Sequence, residues 1–252
     1  MLTTQRKQLI LQRLAHDGQV VAKALSDEWG ISEDTVRRDL RELAAEGKLQ
    51  RVHGGALPAS AAVGDLRVRK ELAPDEKRLL GRAGAAMVRP GQVVILDGGT
   101  TALQVVQHLP LDLRATVVTH SPAVATALAG HTHIEVLSLG GRLYRHSMVN
   151  VGASVVEAAE RLRADLFLMG VTGVHAEGGL TTGDFEEAAV KRALHRRAAE
   201  TVVLASTDKL GAASPFTVAA LNELATLVAP ATVPSRIRKE LQATGVNLLL
   251  VQ

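Results

Sequence analysis

The sequence predicts an α/β protein in two parts: a small, mainly helical domain over residues 1–57 and a larger α/β domain over residues 74–252. Helical spacing of apolar residues ends near Glu46, and residues 58–73 show no sustained period, so this stretch is expected to be a linker. Beyond Pro74, short apolar runs alternate with helix-like segments, as in a mostly parallel sheet buried on both faces. With 252 residues, 46% of them hydrophobic, the chain is long enough for two domains of unequal size.

Three helices are expected in the first domain, from about Thr3 to His16, from about Val20 to Trp29 and from about Ser32 to Glu46. A glycine follows the end of each, and Ser32 is a good N-cap for the third. The short alternating segment over 48–56 predicts a small β-ribbon.

Six apolar runs predict the strands of the second domain: residues 93–96, 116–118, 134–137, 166–169, 201–204 and 246–250. Helix-like stretches such as 186–199 lie between most of them. Because parallel strands end at one edge of a sheet, the loops that follow them should meet in a shared crevice.

Composition excludes several classes of protein. The absence of cysteine excludes a disulfide framework and thiolate metal sites, and it fits a reducing cytosol. Aromatic residues make up 2% of the chain, which argues against base-stacking single-strand binders. No run approaches the ~20 apolar residues of a membrane span, and the first twelve residues lack a signal-peptide core. We therefore expect a cytoplasmic protein that does not act in a membrane.

The charges of the third helix suit a nucleic-acid surface. Its apolar face holds Val36, Leu40, Leu43 and Ala44. Arg38 and Arg41 point the opposite way, with Thr35 and Arg37 on the flanks. Arginine can pair with guanine in the major groove, and hydroxyls reach phosphates or base edges. Residues 1–58 carry nine Lys/Arg against eight Asp/Glu, so an ordinary solvated amphipathic helix explains the charges equally well.

Glycines and hydroxyls follow several predicted strands. The segment Asp97-Gly98-Gly99-Thr100-Thr101 opens a helix, where free amides can bind phosphate. The other strand-end segments are Thr119-His120-Ser121-Pro122, Gly140-Gly141-Arg142, Gly170-Val171-Thr172-Gly173 and Ser206-Thr207-Asp208-Lys209. Together they suit a small phosphorylated polyol, although simple turns are the alternative.

A fixed register of residues runs through the first domain. It comprises Arg6, Ile10, Leu14, Ser32, Thr35-Val36-Arg37-Arg38-Asp39-Leu40, Gly47-Lys48-Leu49 and Arg51-Val52-His53-Gly54-Gly55-Ala56. In this register the segment resembles the winged helix-turn-helix of the DeoR family of bacterial regulators. The resemblance implies that Ser32, Thr35, Arg37 and Arg38 face DNA, with Arg51 and His53 in the wing. It also implies that Asp39 positions an arginine or a helix end, and we add Arg41 from the outward face to the DNA-binding set.

The second domain has its own set of matching residues: Asp97 to Thr101, Gly140-Gly141, Gly152, Asp165, Gly179-Leu180-Thr181-Thr182, Glu187, Lys191-Arg192 and Asp208-Lys209. Over roughly residues 74–230 it is similar to the DeoR effector domain, which looks like the ribose-5-phosphate isomerase fold and usually senses sugar phosphates. The resemblance implies that Gly98, Gly99, Thr100, Thr101 and Lys209 hold the phosphate.

The remaining expected effector contacts come from the same strand-end loops and from one helix: Asp97, His120, Ser121, Gly141, Arg142, Gly170, Thr172 and Glu187. Two segments depart from the family pattern. The usual Thr-Asn-Ser is Thr119-His120-Ser121, and the loop over 170–175 differs from its common form.

We therefore expect a sequence-specific DNA-binding transcription regulator, a repressor of a carbohydrate or polyol operon that is released by a phosphorylated sugar. Paired half-sites favour a homodimer or homotetramer. Residues 57–73 and the helix from Pro74 to Val88 are the expected route between effector and DNA. No cofactor or metal is expected, because the pair His131-Thr132-His133 has no third ligand nearby.

The alternative is an isomerase-like enzyme for sugar phosphates with an appended DNA-binding domain. Aldose–ketose isomerisation needs a carboxylate base. Isomerases of this fold place acidic residues in the loop after the equivalent strand, where this chain has Gly170-Val171-Thr172-Gly173. Glu187 alone remains, so we expect a sensor. A scaffold that binds neither DNA nor ligand would leave the arginine face and the strand-end loops unexplained.

Overall fold

The computed structural model describes residues 1–60 and 66–252, so Ala61 and Ala62 of the expected linker lie outside the described residues. The first domain contains three helices and an antiparallel sheet of order β1-β3-β2. Its elements are α1 (Thr3–Asp17), β1 (Val20–Val21), α2 (Ala22–Trp29), α3 (Glu33–Ala45), β2 (Leu49–Val52) and β3 (Gly55–Pro58).

The helices of this domain pack on a core that includes Ile10, Val36, Leu40 and Leu43. The second helix starts at Ala22 rather than Val20, because Val20 and Val21 pair with β3 as strand β1. A side chain at Gly55 would collide with the Val20 carbonyl, which explains why this β-ribbon has glycine there.

The second domain is built on a seven-stranded parallel sheet of order β15-β14-β12-β9-β4-β5-β6. Its strands are β4 (Val93–Leu96), β5 (Ala115–Thr119), β6 (Ile134–Ser138), β9 (Ala164–Met169), β12 (Ala198–Leu204), β14 (Thr226–Pro230) and β15 (Leu248–Val251). The helices are α4 (Leu66–Glu71), α5 (Pro74–Met87), α6 (Thr100–His108), α7 (Pro122–Ala127), α8 (Ala153–Glu160), α9 (Phe185–His195) and α10 (Ser235–Ala243). The predicted fold class is confirmed.

Apolar side chains of the central strands form two clusters. One includes Ile95, Phe167 and Val203, and the other includes Val94, Leu168 and Leu204. Strand residues alternate between the two clusters, as a sheet covered on both faces requires. No described helix is both long enough and apolar enough to cross a membrane.

Several elements were not predicted. Three short antiparallel strands, β10 (Gly173–His175), β11 (Gly179–Thr182) and β13 (Phe216–Ala219), form a small sheet, and β7 (Arg142–Tyr144) pairs with β8 (Val149–Val151). Strands this short carry too few residues for an alternating pattern to stand out, and pairing with distant partners decides their form. Strand β14 and helix α4 also escaped prediction, and α4 lies inside the segment expected to be a linker.

The start of the expected linker is bound to the second domain. Ala59 forms a parallel bridge with Ala213, whose amide donates to the Pro58 carbonyl over 3.0 Å. The Ser60 amide donates to the Ala213 carbonyl over 3.2 Å, and its hydroxyl donates to the Thr172 carbonyl. Residues 58–60 therefore extend strand β3 onto the larger domain instead of forming a free connection.

Candidate functional site

Helix α3 presents arginines to solvent at the surface of the first domain. The Ser32 hydroxyl caps the helix by accepting from the Thr35 amide over 3.3 Å, and it contacts the Thr35 hydroxyl at 2.9 Å. Arg37, Arg38 and Arg41 are exposed, as their outward positions on the wheel predict. A capped short helix with this face is the shape that major-groove recognition uses.

Arg37 is held along the helix by Glu33. Its Nε and one terminal nitrogen lie 3.1 and 2.8 Å from the same Glu33 oxygen, one turn earlier. The hydrogen bonds that Arg37 donates to Glu33 raise the pKa of Arg37, so this arginine stays charged. Among the described residues no hydrogen bond or salt bridge holds the Arg38 or Arg41 side chain, so both can reorient toward a phosphate or a base.

Asp39, on the opposite side of α3, is completely buried. Arg6 of α1 donates to it through Nε over 2.7 Å and through a terminal nitrogen over 3.2 Å. Asp39 therefore positions an arginine and joins α1 to α3, consistent with the role that the family resemblance implied.

The β2–β3 ribbon forms the wing. Arg51 and His53 are exposed there, and the turn passes through Gly54 at φ 79°, a left-handed conformation that favours glycine. The expected DNA-binding residues thus lie at the surface of one small domain, with Thr35 half-buried against its neighbours.

A cavity lies at the carboxyl ends of the central strands of the second domain. The loop after β4 leads into α6, whose N-cap Gly99 has a φ of 101° and provides no side-chain cap. The first amides of a helix have no partner within it, so they are available to an anion. Thr101 also lines the cavity, and among the described residues nothing bonds its buried hydroxyl.

Asp97 organises this cavity from behind. Its Oδ1 accepts from the Gly98 amide over 2.7 Å and lies 2.8 Å from His120 Nε2, while its Oδ2 accepts from the Gly170 amide over 2.8 Å and from Lys191. Burial alone would raise the pKa of Asp97, but Lys191 and His120 hold it well below its usual range. The carboxylate therefore stays charged and fixes two loops that line the cavity.

Cationic side chains dominate the cavity lining. Arg69, Lys77, Lys191 and Lys209 face two lining carboxylates, Glu187 and Asp208. Lys191 is already paired with Asp97, and Lys77 donates to the main-chain carbonyls of Arg69 and Leu72. Burial lowers the pKa of Lys209 to about 8, partly opposed by Asp208. A bound anion would relieve this penalty, so the cavity is suited to a phosphate-sized negative group.

The structure brings most of the expected effector residues together. The cavity is lined by Gly98, Gly99, Thr100, Thr101, Gly170, Thr172, Glu187 and Lys209. The cavity-lining residues that were not among the expected effector contacts are Arg69, Leu72, Lys77, Ser147, Val171, Thr182, Lys191 and Asp208.

Five expected contacts do not line the cavity. Asp97 and His120 are fully buried behind it, and the other His120 ring nitrogen lies 2.9 Å from the Asn150 carbonyl. Ser121 caps α7 and donates to the Met148 carbonyl over 3.1 Å. A side chain at Gly141 would collide with Val155 and the Val151 carbonyl, and Arg142 is exposed and paired with Glu186.

Lys191, one of the missed residues, had some signal in the sequence. Glu187 and Lys191 are four residues apart on α9, and both face inward, where Glu187 also accepts from Thr182 over 2.6 Å. A Glu–Lys pair at this spacing is usually a solvated surface pair, so burial was the missing information. Arg69 and Leu72 had no such signal, because they come from the segment expected to be a linker.

Family models match most of the chain. The DeoR-like helix-turn-helix domain matches residues 6–61, and the DeoR C terminal sensor domain matches residues 72–230. The unmatched residues between the two are those that connect β3 to α5.

Several regulators are similar over most or all of their length. The chain is 34% identical to the HTH-type transcriptional regulator GlpR of Haloferax volcanii, over 99% of this chain and 98% of that protein. It is 30% identical to the HTH-type transcriptional repressor GlcR of Bacillus subtilis, over 100% of this chain and 98% of that protein. It is 28% identical to the glycerol-3-phosphate regulon repressor of Escherichia coli, over 84% of each.

Solved structures show weaker likenesses. The full-length sorbitol operon regulator SorC of Klebsiella pneumoniae aligns over 93% of this chain and 98% of its own, with 14% identity and a TM-score of 0.43. A ribose 5-phosphate isomerase A of Methanocaldococcus jannaschii aligns over 52% and 51%, with 17% identity and a TM-score of 0.38.

Proposed function

Because the chain belongs to the DeoR family of transcriptional regulators, we propose that it is a repressor that leaves its operator when a phosphorylated sugar or polyol places its phosphate in the cavity at the strand ends. It is a DNA-binding regulator and not an enzyme, as its full-length relatives are named transcriptional regulators and repressors. The proposed repressor acts in the cytoplasm on double-stranded operator DNA, as a homodimer or homotetramer that matches paired half-sites.

The observation that carries the effector proposal is the phosphate-sized site at the start of α6. Free helix amides, the unbonded Thr101 hydroxyl and the buried Lys209 all border one cavity. A phosphate there would accept from the amides and the hydroxyl and would pair with the ammonium group.

The route from this site to the DNA-binding domain is proposed to use the elements that lie between them. Arg69 of α4 lines the cavity and donates to the His146 carbonyl over 3.0 Å. Glu76 of α5 accepts from the Thr207 amide and hydroxyl, each over 2.8 Å, two residues before Lys209. A ligand on Lys209 would therefore act on α4 and α5, which lead back to residues 58–60.

A gel shift with the upstream region of the chain's own operon tests the DNA surface. Arg37→Ala with Arg38→Ala should abolish binding, because two cations leave the exposed face of α3. Arg161→Ala with Arg163→Ala removes two exposed arginines from the other domain and is the matched control. Unaltered binding by the first pair would refute the recognition-helix assignment.

A thermal-shift panel of phosphorylated sugars and polyols tests the sensor. A true effector should raise the melting temperature and release the operator fragment, and a ligand at 100 times its Kd stabilises by about 2.7 kcal/mol. Lys209→Met should remove the response, whereas Lys239→Met, an exposed lysine of α10, should keep it. A wild-type response that persists in Lys209→Met would place the ligand elsewhere.

A further inference from the structure

A second cavity, of about 370 Å³, lies between the two domains. Ser147, Thr172 and Glu187 line both this interdomain cavity and the effector cavity at the strand ends. The two spaces are therefore neighbours that share one wall of three polar residues.

The two cavities differ in size. The effector cavity has a volume of about 30 Å³, whereas about 10–15 Å³ suffices for one water molecule. That space suits a small anionic group rather than a whole sugar phosphate. The interdomain cavity falls within the roughly 300–1,000 Å³ of typical small-molecule sites.

The lining of the interdomain cavity suits the uncharged part of a sugar. Tyr144 and His146 are stacked with ring centroids 5.6 Å apart, and they offer a flat face to C–H groups. Ser60, Ser214 and Gln50 supply hydroxyl and amide groups that can bond hydroxyls of a ligand.

The far wall of this cavity belongs to the DNA-binding domain. Ala44 lies in the last turn of α3, and Gly47, Leu49 and Gln50 lead into the wing. A ligand that fills both cavities would touch the end of the recognition helix and the sensor domain together.

We propose that the interdomain cavity is a subsite of the effector pocket, which takes the unphosphorylated end of a sugar phosphate longer than three carbons. This inference rests on the proposed sensor function and adds the ligand's length and its direct contact with the DNA-binding domain. The phosphate occupies the start of α6, the carbon chain passes Ser147, Thr172 and Glu187, and the sugar hydroxyls reach Tyr144 and Gln50.

The position of this subsite explains how ligand length could control DNA binding. The Thr172 carbonyl accepts from the Ser60 hydroxyl, and the Thr172 hydroxyl lies 2.8 Å from that of Ser214. These bonds hold residues 58–60 against the sensor domain, and they border the proposed subsite. A ligand changes the domain arrangement only if it binds the two arrangements unequally, and contacts to both domains provide that inequality.

Two variants test the subsite in the full-length protein. Gly183 lines the interdomain cavity but not the effector cavity, its φ is not positive, and a Cβ built there meets no atom within 4 Å. Gly183→Leu should therefore fill the subsite without backbone strain. Gly130→Leu is the matched control, since Gly130 has the same freedom and lines neither cavity. Tyr144→Leu removes the aromatic face instead.

The probes are inorganic phosphate, glycerol 3-phosphate, glucose 6-phosphate, fructose 6-phosphate and fructose 1-phosphate, with Kd values from calorimetry. In the wild type, at least one hexose phosphate should bind about tenfold more tightly than glycerol 3-phosphate. This difference corresponds to about 1.4 kcal/mol of binding free energy from contacts in the subsite. Gly183→Leu and Tyr144→Leu should each remove most of that advantage and leave the Kd of inorganic phosphate unchanged.

Two results would overturn the subsite while leaving the sensor intact. One is a wild type that binds glycerol 3-phosphate as tightly as every hexose phosphate, and the other is a hexose preference that both variants keep. If no phosphorylated compound binds, inorganic phosphate included, the sensor proposal fails and the subsite fails with it.

Discussion

Asp39 in the DNA-binding domain and Asp97 in the sensor domain are both fully buried, yet their surroundings differ. Asp39 meets one partner, Arg6, in a two-bond contact that joins two helices. Asp97 meets His120, Lys191 and two loop amides, and both loops line the effector cavity. The first carboxylate holds a domain together, and the second holds a binding site in shape.

The largest effect is expected from breaking the Asp39 contact. Arg6→Leu leaves an unpaired buried charge, which should lower the free energy of unfolding of the first domain by about 3 kcal/mol. Chemical denaturation measures the loss, and DNA binding should fall with it while the ligand response of the sensor domain persists.

The double variant Arg6→Leu/Asp39→Leu is the control for this experiment. Replacing both charges with apolar groups of similar size is often neutral, so most of the stability should return. If the single variant loses less than about 1 kcal/mol, Asp39 is not the tie between α1 and α3 that its geometry indicates.

Lys191→Met should change both the free energy of unfolding and the Kd of the ligand. Asp97 keeps His120 and two amides, so the free energy of unfolding should fall by about 1–3 kcal/mol, less than for Arg6→Leu. The Kd for the best sugar phosphate should nevertheless rise by more than about tenfold, because the cavity loses a lining cation and the bond from Lys191 to the Gly170 carbonyl. Lys239→Met is the matched control. Equal losses of stability for Lys191→Met and Arg6→Leu would contradict the difference proposed between Asp97 and Asp39.

A smaller effect should appear in the pH dependence of ligand binding. With its pKa lowered to about 8, Lys209 loses its proton above that pH, and a bound phosphate must restore it. Affinity should therefore fall by about tenfold per pH unit above 8, since one pKa unit corresponds to about 1.4 kcal/mol. Calorimetry from pH 7 to 9.5 measures this slope, and Lys239→Met, which changes an exposed lysine outside the cavity, should keep it. A wild-type affinity that is constant to pH 9.5 would contradict the role of Lys209.

The smallest effect is expected at His120, where the family pattern has asparagine. His120→Asn keeps an N–H donor but cannot span both Asp97 and the Asn150 carbonyl, so about 1 kcal/mol of stability should be lost with one hydrogen bond. Ligand affinity should change by less than about threefold, because Lys191 and the two amides still hold Asp97. Thermal unfolding measures the loss of stability, and calorimetry measures the change in affinity. A larger loss of affinity than for Lys191→Met would make His120 the main anchor of Asp97.

The sequence predicted the elements that have regular patterns of their own. The helices of the first domain and six strands of the large sheet followed from apolar spacing, and Ser32, Arg37 and Arg38 followed from their positions along one helix. The start of α6 was also predicted, because a glycine pair followed by two threonines comes directly after a buried strand and matches the family pattern, although a simple turn was the alternative.

The remaining parts depend on partners that are distant in the chain. His120 was expected to touch the ligand, and it turns inward because Asp97, 23 residues earlier, accepts from it. Lys191 reaches Asp97 across 94 residues, which no local pattern reveals. The same holds for Ser60, whose hydrogen bond to Thr172 converts part of an expected linker into a joint between domains.

The bridge between Ala59 and Ala213 has a consequence for building chimeric regulators. Joining the DNA-binding domain of one protein to the sensor of another is a common way to rewire a biosensor. A crossover placed just after residue 60 would take Ala59 and Ser60 from one parent and their partners, Ala213 and Thr172, from the other. A crossover beyond residue 60 that also transplants Thr172, Ala213 and Ser214 keeps the joint from one parent, and such hybrids should be the ones that still respond to their inducer.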